Sequence, residues 1–144
     1  MAPATGETPV PLNQAVVLIA EDNSDNLFIA LELLRRAGVE YCNGRASGRE
    51  LFKLLETWDR PVHLILLDIQ IPREDGYAIL AQIRAAPELQ ATRVAAFTAN
   101  VMVDDVERAR AAGFDGFIGK PIHHHRFPSQ VARILAGEDV WEPR

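Results

Sequence analysis

Side chains that can bind a divalent cation and a phosphoryl group occur at four separate places in the chain. Glu21 and Asp22 are adjacent, and Asp68, Thr98 and Lys120 follow at wide spacings. Carboxylates that are brought together repel one another, and this repulsion costs free energy unless a cation joins them. Mg²⁺ prefers oxygen ligands and takes one or two protein carboxylates together with waters and a phosphate oxygen. If the fold brings these side chains together, they predict a magnesium site.

The carboxylates take different roles in such a site. We interpret Asp22 and Asp68 as metal ligands, and Glu21 as a further acidic group that orients a coordinated water. The backbone carbonyl of Gln70, shortly after Asp68, is the candidate that completes the ligand shell. Mn²⁺ can take the place of Mg²⁺ among ligands of this type.

Asp68 is also the candidate nucleophile. A carboxylate is a weak nucleophile, but it can attack a phosphoryl group that a metal ion and a cation hold in line. Lys120 would supply a compact positive charge, and the Thr98 hydroxyl would donate a hydrogen bond to the phosphoryl oxygens. These residues predict an acyl phosphate on Asp68. The alternative for the charged residues is a buried ion network without catalytic function.

Each candidate directly follows, or ends, a segment that predicts a β-strand. The segments 15–20, 64–67 and 94–97 are uninterrupted apolar runs, and 114–119 is predicted as another short strand. Uninterrupted apolar strands are typical of parallel sheets that are buried on both faces. Because the carboxyl ends of parallel strands share one edge, where ligands bind in open α/β sheets, we expect the candidate side chains to meet there.

Helical patterns alternate with these strands. A further short strand is predicted at 39–42, and helices are predicted at 26–37, 47–58, 76–84, 103–112 and 126–136. Ser47 and Glu50 have the spacing of a capping box, and Ser24 or Asp25 is the predicted cap of the first helix. Five alternations of strand and helix predict an α/β fold with right-handed crossovers and helices on both faces of the sheet.

The composition excludes several functional classes. A hydrophobic fraction of 48% and a charged fraction of 24% are typical of one soluble domain, and no apolar run is long enough to span a membrane. The net charge of −5 argues against nucleic acid binding, which requires clustered Lys and Arg. We interpret residues 1–14 as a flexible lead-in without the features of a secretory signal, which predicts a cytoplasmic protein, and expect the folded domain at 15–137.

Taken in order, these motifs resemble those of the response-regulator receiver domains of two-component signalling. The resemblance extends from about Val16 to about Ala136, and it rests on Glu21-Asp22, Asp68 within 66–72, Gly76, Thr98-Ala99 and Lys120-Pro121. It implies a doubly wound, flavodoxin-like sheet of five parallel strands in the order 2-1-3-4-5 with five flanking helices. It also implies Mg²⁺-dependent transfer of a phosphoryl group to Asp68 from a histidine kinase or a histidine phosphotransfer protein.

The resemblance also implies how a signal would leave the site. Thr98 and Phe117 occupy the positions of the switch residues, so that phosphorylation would change partner binding at the surface formed by the fourth helix, fifth strand and fifth helix. Tyrosine is frequent at the second position, and a switch that uses a phenolic hydroxyl is not available to Phe117. Gln70 and Asn100 occupy the positions that tune how fast water removes the phosphate.

Three other functions are alternatives. A Mg²⁺-dependent phosphatase of the haloacid dehalogenase type also forms an aspartyl phosphate, but it needs a second acid where this chain has Gln70. A flavodoxin-like FMN binder needs free backbone amides and hydroxyls in the first loop, which is acidic here. A receiver-shaped adaptor that is never phosphorylated is the third. We expect a stand-alone receiver that acts by binding a partner, by passing phosphate onward in a phosphorelay or by draining phosphate from a kinase.

Two further segments have open interpretations. Residues 138–144 follow the last predicted helix and contain Trp141. They are either a disordered end or a segment that docks onto the domain or onto a second subunit, and a homodimer is therefore a further hypothesis. His123, His124 and His125 suggest a metal site, but consecutive residues point in different directions, which favours a solvated helix start.

Overall fold

The uninterrupted apolar segments form the centre of a parallel β-sheet in the computed structural model, which describes residues 9–99 and 102–143. The strands are β1 (Val16–Ala20), β2 (Tyr41–Arg45), β3 (Leu64–Leu67), β4 (Arg93–Thr98), β5 (Gly116–Gly119) and β6 (Val140–Glu142). The helices are α1 (Ser24–Arg36), α2 (Gly48–Thr57), α3 (Gly76–Ala85), α4 (Val103–Ala112) and α5 (Arg126–Leu135). Short 3₁₀ turns cover Leu12–Gln14 and Pro87–Leu89.

The strand order is β2-β1-β3-β4-β5-β6, and every neighbouring pair is parallel. The expected α/β class, the order of the first five strands and the five helices are confirmed. The expected number of five strands is wrong, because the described part of the chain contains a sixth strand that extends the sheet beyond β5.

The sixth strand was missed because its sequence lacks the pattern on which the other strands depend. Val140 is fully buried, but Trp141 is partly exposed and Glu142 is charged. A strand of three residues that includes a carboxylate is too short to show a hydrophobic periodicity, so the sequence pattern does not distinguish it from a polar tail. The carboxylate is tolerated because Arg133 and other polar side chains of α5 bind it, which only the folded structure reveals.

Two apolar layers cover the sheet, one on each face. Alternate residues of β1 point to opposite faces, so that Val17 and Ile19 belong to one layer, and Val16 and Leu18 to the other. The first layer includes buried residues of α1 and α5, and the second includes buried residues of α2, α3 and α4. Burial of each large aliphatic side chain contributes roughly 1.5–3 kcal/mol. Central strands buried on both faces hold the carboxyl edge of the sheet rigidly.

Helix capping partly follows the sequence expectation. The hydroxyl of Ser47 accepts a hydrogen bond from the backbone N–H of Glu50 at 3.1 Å, as the capping-box spacing predicts. The first helix is capped by Asn23, whose side chain accepts from the Asn26 N–H at 2.9 Å, and the expectation of Ser24 or Asp25 at that position is wrong. Asn, Asp and Ser cap helices about equally well, so a run of these residues does not single out one position.

Within residues 9–99 and 102–143, no helix is both long and apolar enough to cross a membrane. Of the expected lead-in, only residues 9–14 lie among the described residues. There the Val10 N–H donates to the Leu135 carbonyl at 3.2 Å, and Val10 and Leu12 pack against the layer formed by α1 and α5.

We predict that His63 makes the stability of the domain depend on pH. Its Nδ1 accepts a hydrogen bond from the Val16 N–H at 2.9 Å, and burial lowers the pKa of the imidazole below its ordinary value. A lowered pKa in the folded state means that the unfolded state binds the proton more readily. The contribution of neutral His63 is therefore complete above about pH 6.5, the ordinary histidine pKa, and is lost as the pH falls below it.

Urea unfolding at a series of pH values between about 7.5 and 5.0 tests this prediction across that range. The free energy of unfolding should fall less steeply in His63→Asn, which keeps an acceptor near the position of Nδ1 but does not titrate. His124→Asn removes an exposed histidine and should behave as the unmodified protein does. Equal slopes for all three proteins would show that the Val16 bond does not depend on the charge of His63.

Candidate functional site at the carboxyl edge of the sheet

The carboxyl ends of four strands bring the sequence candidates together. Glu21 and Asp22 follow β1, Asp68 follows β3, Thr98 ends β4 and Lys120 follows β5. Hydrogen bonds of the sheet continue into these residues. The Asp68 N–H donates to the Ala20 carbonyl at 3.1 Å, and the Lys120 N–H donates to the Thr98 carbonyl at 2.9 Å. The site is therefore fixed by the sheet itself, as expected from the common direction of the strands.

The Lys120 ammonium lies at the centre of the charged groups. Its Nζ donates to Asp68 Oδ2 at 2.9 Å and also to Glu21 Oε1. Glu21 is 1% exposed and Asp68 is 4% exposed, so both acids are removed from bulk water. A buried carboxylate is stable only with a close counter-charge, and one lysine provides it for both acids.

The pKa shifts in this group follow from burial and from the shared ammonium. Burial raises the pKa of Glu21, and the hydrogen bond from Lys120 opposes that rise without cancelling it. Burial alone would lower the pKa of Lys120, but its hydrogen bonds to Glu21 and Asp68 outweigh this effect and raise it. Lys120 is therefore positively charged at neutral pH and remains a fixed cation beside Asp68.

Backbone amides hold the second oxygen of each buried acid. Asp68 Oδ1 accepts from the Gln70 N–H at 2.8 Å, and Glu21 Oε2 accepts from the Asn23 N–H at 3.0 Å. In both cases the amide belongs to the second residue after the acid. The other oxygen of each carboxylate accepts a hydrogen bond from Lys120. Both carboxylates are therefore oriented before any ligand binds, which lowers the cost of ordering them.

Sequence reasoning did not identify the Asn23 amide, and it gave Gln70 a role through its carbonyl only. Every residue except proline has an N–H, so residue type carries no signal for such contacts. The spacing does carry a signal, because side chains of this type often accept a hydrogen bond from the backbone N–H of the second residue after them.

Three acidic side chains can share a cation here. Carboxylate oxygens of Glu21, Asp22 and Asp68 lie within 4.8 Å of one another, and Asp22 is exposed to solvent. Three carboxylates face one ammonium, which leaves net negative charge in the group. This oxygen-only donor set fits Mg²⁺ or Mn²⁺, and the exposed position of Asp22 gives a hydrated ion access to it. Participation of the Gln70 carbonyl stays a prediction, although the Gln70 amide lies next to Asp68.

The two expected switch residues are both fully buried near the site. Thr98 is 0% exposed, and its hydroxyl donates to Oε1 of Gln70 over a long 3.4 Å. Phe117, in the middle of β5, is also 0% exposed and packs in the layer formed by α2, α3 and α4. Trp141 of β6 is in register with Phe117, a neighbour that the sequence did not reveal. Asn100 lies outside the described residues.

The three consecutive histidines lie before α5 and are all exposed. The His123 carbonyl accepts from the Phe127 N–H at 2.8 Å, so this segment leads directly into the helix. None of the three belongs to the group of acidic side chains within the described residues that could share a metal ion.

Comparisons with known proteins agree with this geometry. The sequence profile of the response regulator receiver domain matches residues 17–132. The polar-differentiation response regulator DivK of Brucella abortus is 36% identical over 119 residues, which are 83% of this chain and 94% of DivK. Two-component system protein A of Emericella nidulans is 31% identical over 145 residues, but the chain spans 20% of that protein.

Solved structures show the same fold. The chemotaxis response regulator CheY4 of Vibrio cholerae superposes with a TM-score of 0.74 at 20% identity, and the match covers 83% of this chain and 98% of CheY4. That likeness concerns the fold alone. The profile match covers most of the chain, and DivK is similar over nearly its whole length. The chain therefore belongs to the response regulator receiver domain family, as the sequence motifs indicated.

Proposed function

We propose that this protein is a response regulator that accepts a phosphoryl group on Asp68 from a histidine kinase or a histidine phosphotransfer protein. The observation that carries the proposal is the position of Asp68 between a fixed cation and an acidic pair. Lys120 Nζ lies 2.9 Å from Asp68 Oδ2, and carboxylate oxygens of Glu21 and Asp22 lie within 4.8 Å of Asp68. This arrangement supplies a nucleophile and a counter-charge at an edge that a phosphodonor can approach.

The transfer step joins the Asp68 carboxylate to the phosphoryl group of the donor, and it would require a Mg²⁺ ion at the acidic group. A carboxylate oxygen of Asp68 attacks phosphorus, an O–P bond forms, and the P–N bond of the donor phosphohistidine breaks. The imidazole leaves with the electron pair of that bond and takes up a proton. Lys120 then pairs with an oxygen of the transferred group, which replaces part of its contact with the Asp68 carboxylate. A Mg²⁺ ion bound by Asp22 and Asp68 would neutralise charge on the phosphoryl oxygens.

The signal begins with the charge that phosphorylation adds. A phosphoryl group brings nearly two negative charges and strong acceptor oxygens next to Thr98. The Thr98 hydroxyl, now bonded to Gln70 over 3.4 Å, would turn toward the phosphate and vacate space for Phe117. Binding of a downstream partner at the surface of α4, β5 and α5 then changes. Phosphorylation shifts the equilibrium between two conformations. It changes partner binding only by as much as the free energy of partner binding differs between them.

Two of the alternative functions need features that the site lacks. In a phosphatase of the haloacid dehalogenase type, an acid would occupy the position of Gln70, whose side chain is an amide. An FMN binder needs amides and hydroxyls free for phosphate after β1, where this chain presents Glu21 and Asp22. An adaptor that is never phosphorylated needs no oriented nucleophile. The two hydrogen bonds that fix Asp68 therefore favour the phosphoacceptor.

We predict that Mg²⁺ stabilises the domain through Asp22. In the metal-free protein, Asp22→Asn removes one of three mutually repelling carboxylates, and the Tm should rise by roughly 2–5 °C. Mg²⁺ should raise the Tm of the unmodified protein, because an ion that binds only the folded state stabilises it. Thermal unfolding with EDTA and with a Mg²⁺ series measures both effects. Asp59→Asn, an exposed acid outside the site, should keep the full response to Mg²⁺. If Mg²⁺ raises the Tm of Asp22→Asn as much as that of the unmodified protein, Asp22 is not a metal ligand.

We predict that acetyl phosphate labels the protein on Asp68 when Mg²⁺ is present. Intact mass and Phos-tag electrophoresis should show one phosphoryl group, which is stable to acid and lost in base, as expected for an acyl phosphate. Chelation of Mg²⁺ should abolish labelling, and so should Asp68→Asn. Asp59→Asn should be labelled as the unmodified protein is. Label that persists in Asp68→Asn would show that another residue accepts the phosphoryl group. No label in the unmodified protein would leave the unphosphorylated adaptor as the function.

Exposed apolar side chains support docking of a protein donor beside the site. Phe28 is 66% exposed on α1, which begins directly after the acidic pair, and Met102 is 68% exposed before α4. The connections after β1 and β4 lie on the two sides of β3, which ends at Asp68. Apolar groups of this size beside a charged site are typical of protein interfaces.

We therefore predict that Phe28→Ser slows phosphotransfer from a phosphorylated histidine protein by about tenfold. Large aromatic side chains that become buried on docking contribute much of the binding free energy of an interface. Labelling by acetyl phosphate should be unchanged, since a small donor does not need the docking surface. Tyr41→Ser serves as the control, because Tyr41 is a partly exposed aromatic residue at the amino end of β2, away from the carboxyl ends of the strands. Equal slowing with the histidine protein and with acetyl phosphate would show that Phe28 affects the transfer reaction itself and not the docking of a protein donor.

A further inference from the structure

The edge of the sheet is closed by residues 138–143, here named the β6 segment. It pairs in parallel with β5, and Val140 is fully buried among residues of the α1 and α5 layer. The backbone of Pro143 comes so close to Gly119 that a Cβ at position 119 would collide with the Pro143 carbonyl. Only glycine at the end of β5 admits this approach. The β6 segment is therefore fitted to β5 from Val140 to Pro143.

A charge clamp holds one face of the β6 segment. Both oxygens of Glu142 contact Arg133 of α5, at 2.7 Å and 2.9 Å, and Gln130 and Arg126 reach Glu142 Oε1 at 3.0 Å and 3.2 Å. The Arg133 contact and the other two hydrogen bonds lower the pKa of Glu142 to about 2. A bidentate contact to arginine fixes the carboxylate in one orientation. This clamp fixes β6 to the helix that precedes it.

The other face of the β6 segment packs on the layer that contains the expected switch residue, Phe117. Trp141 is in register with Phe117, and in parallel strands such neighbours lie side by side on the same face. The guanidinium of Arg110 in α4 lies 4.4 Å from the centre of the Trp141 ring, in a cation–π contact. Trp141 therefore packs on the layer that contains Phe117 and bridges from β6 to α4. Phe117 is itself 0% exposed within that layer.

We propose that docking of the β6 segment on β5 is coupled to the state of Asp68: the segment is held on the unmodified domain and loosened when Asp68 carries a phosphoryl group. The proposal rests on the function proposed above, and adds a regulatory contact made by Trp141, Arg110 and Glu142. These residues lie outside the site that performs the transfer.

The physical reason is the close packing around Phe117. A fully enclosed ring cannot turn without changing the contacts of its neighbours, because protein interiors have almost no free volume. When Thr98 turns toward the phosphate, Phe117 moves toward the vacated space and away from Trp141. The space left beneath Trp141 costs free energy in proportion to its volume. Trp141 then loses packing on one side, and the β6 segment docks less tightly.

Thermodynamic linkage makes the coupling reciprocal. If occupancy of Asp68 weakens docking of the β6 segment by some factor, the undocked domain binds a ligand at Asp68 more tightly than the docked domain by the same factor. Weakening the docking therefore raises the apparent affinity at Asp68. Substitutions on β6 and α4 therefore test the proposal without touching the phosphoryl site. The relevant contacts are the Glu142 clamp and the stacking of Arg110 on Trp141.

Tryptophan fluorescence can follow the β6 segment directly. The chain contains two tryptophans, and Trp58→Phe leaves Trp141 as the single reporter. Trp58 tolerates this change because its buried Nε1 has no hydrogen-bond partner among the described residues. Beryllofluoride with Mg²⁺ mimics the phosphoryl group on a carboxylate, and ¹⁹F NMR measures how much is bound. On occupancy of the site, the acrylamide quenching constant of Trp141 should rise by about twofold, since the docked state becomes less populated.

The outcomes separate this proposal from the proposed function. If bound beryllofluoride is detected and the quenching of Trp141 is unchanged or lower, the coupling is wrong and the phosphoacceptor stands. If the ¹⁹F spectrum shows no bound beryllofluoride, or if Asp68→Asn still binds it, the proposed function fails and the coupling fails with it. Bound beryllofluoride that depends on Asp68, together with increased quenching, supports both.

Two variants test reciprocity. Glu142→Gln weakens the clamp and Arg110→Ala removes the stacking cation, and each should raise the apparent affinity for beryllofluoride by about fivefold. Asp139→Asn removes an exposed carboxylate next to β6 and should leave the affinity unchanged. Circular dichroism would verify that each variant is folded. An unchanged affinity in both Glu142→Gln and Arg110→Ala would overturn the coupling.

Discussion

The site depends on one ammonium group that serves two buried acids. Glu21 and Asp68 end neighbouring strands, β1 and β3, and burial of each unpaired charge would cost several kcal/mol. Their counter-charge comes from Lys120 on β5, on the far side of β4. The lysine side chain must therefore cross the end of β4, and its Nζ lies 5.2 Å from the centre of the Phe97 ring. The long flexible stem of lysine makes this reach possible, and the apolar ring covers it.

This crossing explains why Thr98 is well placed to report on Asp68. Thr98 ends β4 between the strands that carry Asp68 and Lys120, and it is fully buried there. A new negative charge on Asp68 changes the partners of Lys120, and Thr98 is the hydroxyl between them. The residues that balance the charge and the residue proposed to sense it are thus neighbours through the strand order. The remaining negative charge of the acidic group favours a cation, and a cation favours the phosphoryl group.

Hydrophobic pattern and strand direction were sufficient to predict most of the fold and the meeting of the charged residues. The central strands are uninterrupted apolar runs, and each delivers its polar residue at its carboxyl end, so Asp68 and Lys120 were expected at one edge of a parallel sheet. The strand order that brings them into contact was implied by the resemblance to receiver domains. The cap at Asn23 and the edge strand β6 could not be predicted in the same way. Several neighbouring residues can cap a helix, and Glu142 belongs in a strand only because Arg133 lies opposite it.

The sixth strand changes how a partner can approach β5. Hydrogen bonds to β4 on one side and β6 on the other use the backbone groups on both edges of β5, so a partner cannot add a strand to β5 while β6 is docked. A partner at this surface would meet the outer backbone edge of β6 or side chains of α4, α5 and β6. Trp141 is the large aromatic among them, and it touches both Arg110 and the layer that contains Phe117. Because the same indole packs inward and remains partly exposed, the proposed change at Phe117 would also alter the outer surface of β6.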